Sequence, residues 1–257
     1  MVSGVATVCA VVAGLYLALA VVAAVVRGEI RHSVEIDAPV DAVWSYGSDS
    51  TAAREWSVFF HHITPIEAEG RPPDGTVGAF RVCHRTADEH GMAWDETTEE
   101  ITPERHRRIR TFNLVNFPFG WFGRAQEYEV HQDYEALDAD RTRLTFRSSI
   151  VRRPGVLDRL AWPISKTVYA MLGAPAGQTV FVWNLENIRA AVEARCSGEP
   201  YERPHPYAPE LPWESRPARW WITDRMRVLC GLPVPPGPRP HVRPASPREG
   251  ARGPATR

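Results

Sequence analysis

Three rhythms of apolar and polar residues follow one another along this chain. Val2 to Val26 is an unbroken run of apolar and small residues, in which only Ser3, Thr7 and Tyr16 are mildly polar. As a helix rising about 1.5 Å per residue it would be roughly 37 Å long, enough to cross a hydrocarbon core of about 30 Å. A cleaved signal peptide is the competing reading. It requires a basic n-region and a shorter apolar core, and only the α-amino group precedes this run. The expectation is therefore a single-pass membrane anchor over residues 1–28. Arg27 and Arg31 follow the run with no side-chain cation before it, so the positive-inside rule puts the rest of the chain on the cytoplasmic side of the cell membrane.

After the anchor the period shortens. Val34 and Ile36 share one face of a strand over Ser33 to Asp37. A helix through Val43 and Trp44 follows, with Asp37 as its cap and Pro39 in its first turn. A second short helix runs from Ala52 to Trp56. Five strand-like segments come next: Val77 to Arg85, Met92 to Ile101, Arg107 to Val115, Ala125 to Tyr134, and Arg141 to Val151. In the last two, Tyr128 and Val130, then Leu144, Phe146 and Ile150, alternate with charged residues, the mark of an antiparallel sheet with one wet face.

The third rhythm is helical. Leu157, Leu160, Ile164, Val168, Met171 and Leu172 recur at helical spacing up to a break at Gly173-Ala174-Pro175. Phe181, Leu185, Ile188 and Val192 then form a stripe on a helix reaching about Ala194. Strand, two helices, a run of strands and a long C-terminal helix make an α+β domain over residues 31–196. Fourteen of the 23 prolines fall in 197–257, so most of that tail is expected to stay outside the domain. One island, 215–231, has Ser215 as a helix cap and Pro217 in the first turn.

Composition adds little to this picture. The net charge of −1 hides a basic tail, where nine arginines from Arg216 onward face only Asp224 and Glu249, and an acidic body. Interspersed prolines and that acidic body argue against nucleic acid as a partner. Cys9, Cys83, Cys196 and Cys230 form no CxxC pair, so neither a disulfide framework nor a zinc site is expected.

Short strings carry a resemblance. Val34-Glu35-Ile36-Asp37-Ala38-Pro39-Val40-Asp41-Ala42-Val43-Trp44 resembles the opening strand and helix of the SRPBCC superfamily, which includes START domains, pollen allergens and polyketide cyclase/dehydratases. Trp56, Gly75-Thr76-Val77-Gly78, Glu100-Ile101-Thr102-Pro103 and Asn184-Leu185-Glu186-Asn187-Ile188-Arg189 fall where that family has similar features. The resemblance covers about Arg31 to Arg195. It implies a helix-grip fold, in which a curved antiparallel sheet wraps a long C-terminal helix around an apolar cavity. It also implies a hydrophobic small molecule or lipid as partner. Phe80, Val82, Trp94, Tyr128 and Phe146 on the strands, with Phe181 and Leu185 on the helix, are the expected ligand-binding residues.

The candidate chemistry is sparse. No nucleophile elbow, phosphate loop, HExxH or EF-hand loop is present, and no cofactor or metal is expected. His84 shares strand parity with Phe80 and Val82, and Glu96 with Met92 and Trp94. Inside an apolar cavity the two could act as general acid and base; solvated at strand ends they would be structural. His61-His62 are a poor metal pair, because adjacent strand residues point to opposite faces. Glu127, Glu129 and His131 with Arg143, Thr145 and Arg147 read as cross-strand partners on the wet face. The loop holding Phe117, Phe119, Trp121 and Phe122 would cap the cavity, enter the membrane interface or fold onto the core. Trp221 lies on the apolar face of the basic island, which reads as an interfacial membrane helix or as one packed on its own domain. The resulting expectation is a membrane-anchored binding or carrier protein for a lipid or polyketide-like molecule. The alternatives are a cyclase/dehydratase acting in the same cavity and an adaptor that recruits a partner through the tail.

Overall fold

The computed structural model describes residues 2–26, 28–116 and 127–207. Arg27, the loop with Phe117, Phe119, Trp121 and Phe122, and the 215–231 island with Trp221 lie outside the described residues.

Helix α1 spans Val2–Val25 and turns most of its apolar surface outward. Gly4–Val25 is long and apolar enough to cross a membrane. Its other side, through Tyr16, Leu19, Ala20 and Ala23, is less exposed, and the two small alanines let a second helix approach closely. That helix is α4, Val156–Val168, and the Tyr16 hydroxyl donates to the Leu160 carbonyl at 3.0 Å.

Strand β1 (Glu29–Ile36) leads through Ala38-Pro39 into α2 (Val40–Ser48) and α3 (Ala53–Trp56). Pro39 itself sits at the N-cap of α2 with no side-chain cap. Asp37 therefore does not serve as one; its backbone N–H donates to Glu193 Oε1. Then come β2 (His62–Pro65), β3 (Phe80–His84), β4 (Ala93–Thr102), β5 (His106–Val115), β6 (Tyr128–Ala136) and β7 (Thr142–Ile150). Together they form one antiparallel sheet in the order β1-β7-β6-β5-β4-β3-β2. Register shifts in β4 between Ala93 and Asp95 and between Thr98 and Glu100 mark bulges, which add the local twist and bend a curved sheet needs.

Helix α4 runs into α5 (Ala174–Ser197) through a π-helical stretch, Tyr169–Gly173. The expected break at Gly173-Ala174-Pro175 is thus a widened turn in a continuous helical segment. Pro175 has no N–H for the carbonyl four residues earlier, and a π-turn relaxes that ladder without ending the helix. Helix α5 packs along β1, and Gly177 is what allows the approach: a Cβ there would lie 2.7 Å from Ile30 Cδ1. Ile36, Leu144, Leu185 and Ile188 are fully buried between sheet and helix, with Val43 and Trp56 of α2 and α3 closing one end. This is the helix-grip arrangement.

The start of the proline-rich tail docks on the domain. Buried Asn187 accepts from the His205 backbone N–H at 2.8 Å, and its amide donates to the carbonyls of His205 and Trp56 at 2.7 and 2.8 Å. Trp183 stacks on the His205 ring, and Tyr207 donates to the Arg85 carbonyl. Proline keeps this segment out of regular structure, so side-chain bonds satisfy its backbone instead.

Candidate functional site

Between the inner face of the sheet and α5 lies a cavity of about 370 Å³. Its walls are aromatic. Trp94 sits between Phe59 and Phe60, with ring centroids 5.5 and 5.8 Å away. Phe146 meets Phe181 edge-on at 5.7 Å, and Tyr128 meets Tyr169 at 5.4 Å. Burial raises the pKa of both tyrosines, which therefore stay protonated and present hydroxyl groups.

One end is polar, because three strands each place a polar residue inward. Arg81 on β3 pairs across the ladder with Glu96 on β4. Both are buried, and Arg81 Nε and a terminal nitrogen donate to Glu96 Oε2 at 2.9 and 2.7 Å. The other carboxylate oxygen accepts from the Trp94 indole at 2.9 Å and from the Thr111 hydroxyl at 3.5 Å. Arg81 also reaches the Ser50 hydroxyl at 3.1 Å. Arg107 lies behind them, with 1% of its surface exposed. Among the described residues it has only long contacts, to the Ser48 carbonyl and the Thr98 hydroxyl at 3.4 and 3.3 Å, and its Nε lacks a partner. Burial, then repulsion from Arg81, pushes its pKa down to about 10.

For Glu96, burial pushes the carboxyl up, and the Arg81 guanidinium with the Trp94 indole more than offsets it, leaving Glu96 below the usual carboxylate range. It is an ionised, hydrogen-bonded acceptor. Arg81 keeps spare capacity: of the five N–H donors of a guanidinium, three are used in the bonds to Glu96 and Ser50.

The expected ligand-binding residues divide. Trp94, Tyr128, Phe146 and Phe181 line the cavity, as does Glu96. Phe80, Val82 and His84 do not; β3 has the opposite facing to the one expected. Arg81 and Cys83 point inward and Phe80, Val82 and His84 outward, where Phe80 packs beneath Arg71 and beside Phe112. Hydrophobic parity misleads here because Glu96 neutralises an inward arginine and makes its burial tolerable. Leu185 is also not at the cavity, being fully buried in the packed core. His84 and Glu96 therefore lie on opposite faces of the sheet and do not form an acid–base pair.

Several wall residues escape a reading by sequence pattern: Arg81, Gln132, Tyr169 and the Phe59-Phe60 pair. An arginine inside a five-residue strand whose other members, His84 apart, are apolar, with a glutamate on the next strand, is the available signal. Tyr169 lies in the π-turn, which helical periodicity does not anticipate. Among the described residues, no histidine, cysteine or lysine lines the cavity.

The family model described as polyketide cyclase / dehydrase and lipid transport matches residues 27–193. Among solved structures, the ZhuI aromatase/cyclase from Streptomyces sp. R1128 is 17% identical, with 67% of this chain and 98% of that chain covered and a TM-score of 0.43. A norcoclaurine synthase point mutant from Thalictrum flavum, in complex with a transition-state analogue, is 14% identical, covering 65% of this chain and 95% of its own, with a TM-score of 0.45. DynU16, from the dynemicin biosynthetic locus, is 23% identical over 68% of this chain with a TM-score of 0.42, and this chain spans half of its length. The comparison with curated proteins returns no match.

Proposed function

Because this chain belongs to the polyketide cyclase/dehydrase and lipid transport family, we propose that it is a membrane-held binding or carrier protein. Its ligand is a lipid or polyketide-like molecule with an apolar body and an oxygen-bearing end. The observation that carries this reading is the cavity's polarity: aromatic walls around one buried arginine with unused donors. An apolar body gains from burial along the walls. A carboxylate, carbonyl or phenol oxygen at the Arg81 end takes N–H donors that water would otherwise serve.

Helix α1 supplies the tether, with Arg31 at the cytoplasmic side of the span. Helix α4 supports the same reading. It lies against α1 and keeps Val156, Leu157 and Leu160 exposed, so the apolar surface of the anchor continues onto the domain.

A cyclase reading draws on the same cavity, with the protonated Tyr128 and Tyr169 hydroxyls and Arg81 polarising a ketone or an enolate. The carrier reading is favoured because Glu96, the buried carboxylate at the polar end, is held ionised with both oxygens occupied, and Asp49, the other lining carboxylate among the described residues, accepts from Thr51.

The test is native mass spectrometry of the full chain extracted from its source membrane. A co-purifying lipid or a single polyketide-like adduct supports the carrier, and paired adducts that differ by loss of water support the cyclase, while no adduct in any preparation overturns both. Val130→Trp, which fills the cavity, should abolish the adduct. Val82→Trp, on the outer face, should leave it in place.

A further inference from the structure

We propose that His62, His84 and Glu89 form a binding site for one divalent transition-metal ion of the zinc type, on the outer face of the sheet and separate from the cavity. Antiparallel pairing sets His62 of β2 directly opposite His84 of β3. Their rings stack with centroids 4.9 Å apart and planes 19° from parallel. Glu89, in the β3–β4 turn, brings one carboxylate oxygen to 3.1 Å from His62 Nε2 and the other to 4.0 Å from His84 Nε2. One ligand atom from each of the three residues lies within 4.8 Å of the others. A tetrahedral zinc ion with bonds of about 2.0–2.2 Å needs its donors about 3.3–3.5 Å apart. Small side-chain rotations close that gap with no movement of the strands.

Two further features point to metal rather than to a plain hydrogen-bonded cluster. Imidazole ligands of zinc are usually oriented by a hydrogen bond to their second nitrogen. His61 provides it: its Nδ1 lies 2.9 Å from His62 Nδ1, and if the proton sits on His62 Nδ1, the Nε2 lone pair faces Glu89. His84 is the second feature. Its side chain is mostly buried, and its Nε2 stands 4.0 Å from a Glu89 oxygen, beyond hydrogen-bond distance, a separation that an ion bonded to both would bridge. The other histidine pair offers a contrast. His106 and His131 lie with ring centroids 5.4 Å apart, but Asp133 beside them is already bonded to His106 at 2.7 Å and to Arg147 at 2.8 Å. A guanidinium holds the place a cation would take.

Two nitrogens and one carboxylate oxygen, with a fourth position open to water, suit Zn²⁺ over Mg²⁺ or Ca²⁺. Because β2 is the edge strand, the ion would fasten the edge of the sheet to the β3–β4 turn.

To test this, the full chain in detergent is stripped with EDTA, dialysed and titrated with ZnCl₂, and bound metal is counted by mass spectrometry. Wild type should retain about one ion per chain, with a higher Tm in zinc than in EDTA. His62→Asn with His84→Asn should lose both the ion and the Tm gain, while keeping the Tm of the EDTA-treated wild type. His61→Ala should weaken binding by about 10–100-fold, the usual effect of removing an orienting partner. His106→Asn should change nothing. If wild type retains no ion, or the double variant retains as much as wild type, the proposal fails.

Discussion

Two regions of this domain hold ion pairs in opposite surroundings. On the outer face, Arg110 reaches Glu99 at 3.0 Å, Glu129 at 3.1 Å and Glu127 at 3.7 Å, and Arg143 bridges Glu35 and Glu135 at 2.9 and 2.8 Å. Water reaches all of these side chains. On the inner face Arg81 and Glu96 form a single pair, largely buried at the cavity's polar end beside a second buried arginine. The outer ladder can lose a member and let water replace it. The inner pair cannot, because each partner removes the other's desolvation penalty. Many charges outside therefore contribute little each, whereas two inside hold a whole end of the cavity together.

The sharpest way to break that contrast is Glu96→Gln, which strands the Arg81 guanidinium. Chemical denaturation should show a loss of about 3–5 kcal/mol. A loss no larger than that of an outer-face variant would mean water already reaches the pair.

Acid should give a smaller, graded effect. The Glu96 pKa is depressed in the folded state, so its contribution is full above its ordinary value of 4.5 and is lost as pH falls through the lower folded value. Arg81 and Arg107 face it and stay charged throughout. Unfolding free energies from urea titrations down a pH series should fall below about pH 4.5 in wild type, by about 1.4 kcal/mol for each pH unit that separates those two values. The fall should be shallower in Glu96→Gln. Parallel acid limbs would mean that outer carboxylates carry the whole effect.

Arg110→Ala should cost the least, about 1 kcal/mol or less even with three carboxylates around it. High salt should shrink that difference further. A salt-insensitive loss larger than this would show that the outer ladder behaves like the inner pair.

The same contrast explains what is legible in the sequence. Where charges face water, alternation reports the sheet faithfully: Tyr128, Val130, Leu144 and Phe146 point inward and Glu129 and Arg147 outward, in keeping with their spacing. The α+β order, the closing helix and four of the aromatic cavity residues can be read in the same way. On β3 the reading inverts, because parity scores Phe80 and Val82 as core and has no means of pairing Arg81 with a glutamate fifteen residues away. Strand β2 has no signature of its own. Four residues ending in Pro65 carry too little periodicity, and only pairing with β3 makes them a strand. Docking of the tail is equally hidden, since it rests on isolated side chains, Asn187, Trp183 and Tyr207, and on no pattern.

The shortness of the join between α1 and β1 has a consequence for how such a protein would work. Three residues separate Val25 from Glu29, a reach of at most about 14 Å, and the Tyr16–Leu160 bond fastens the two parts a second time. A module on a long leash can ferry cargo between distant surfaces; one held this closely cannot leave its berth. If α1 sits in a bilayer, as proposed, the cavity would be a fixed berth at the membrane, where cargo would arrive and depart while the protein stays still. Its rate of exchange would follow the traffic of molecules along that membrane and be indifferent to the distance to any other.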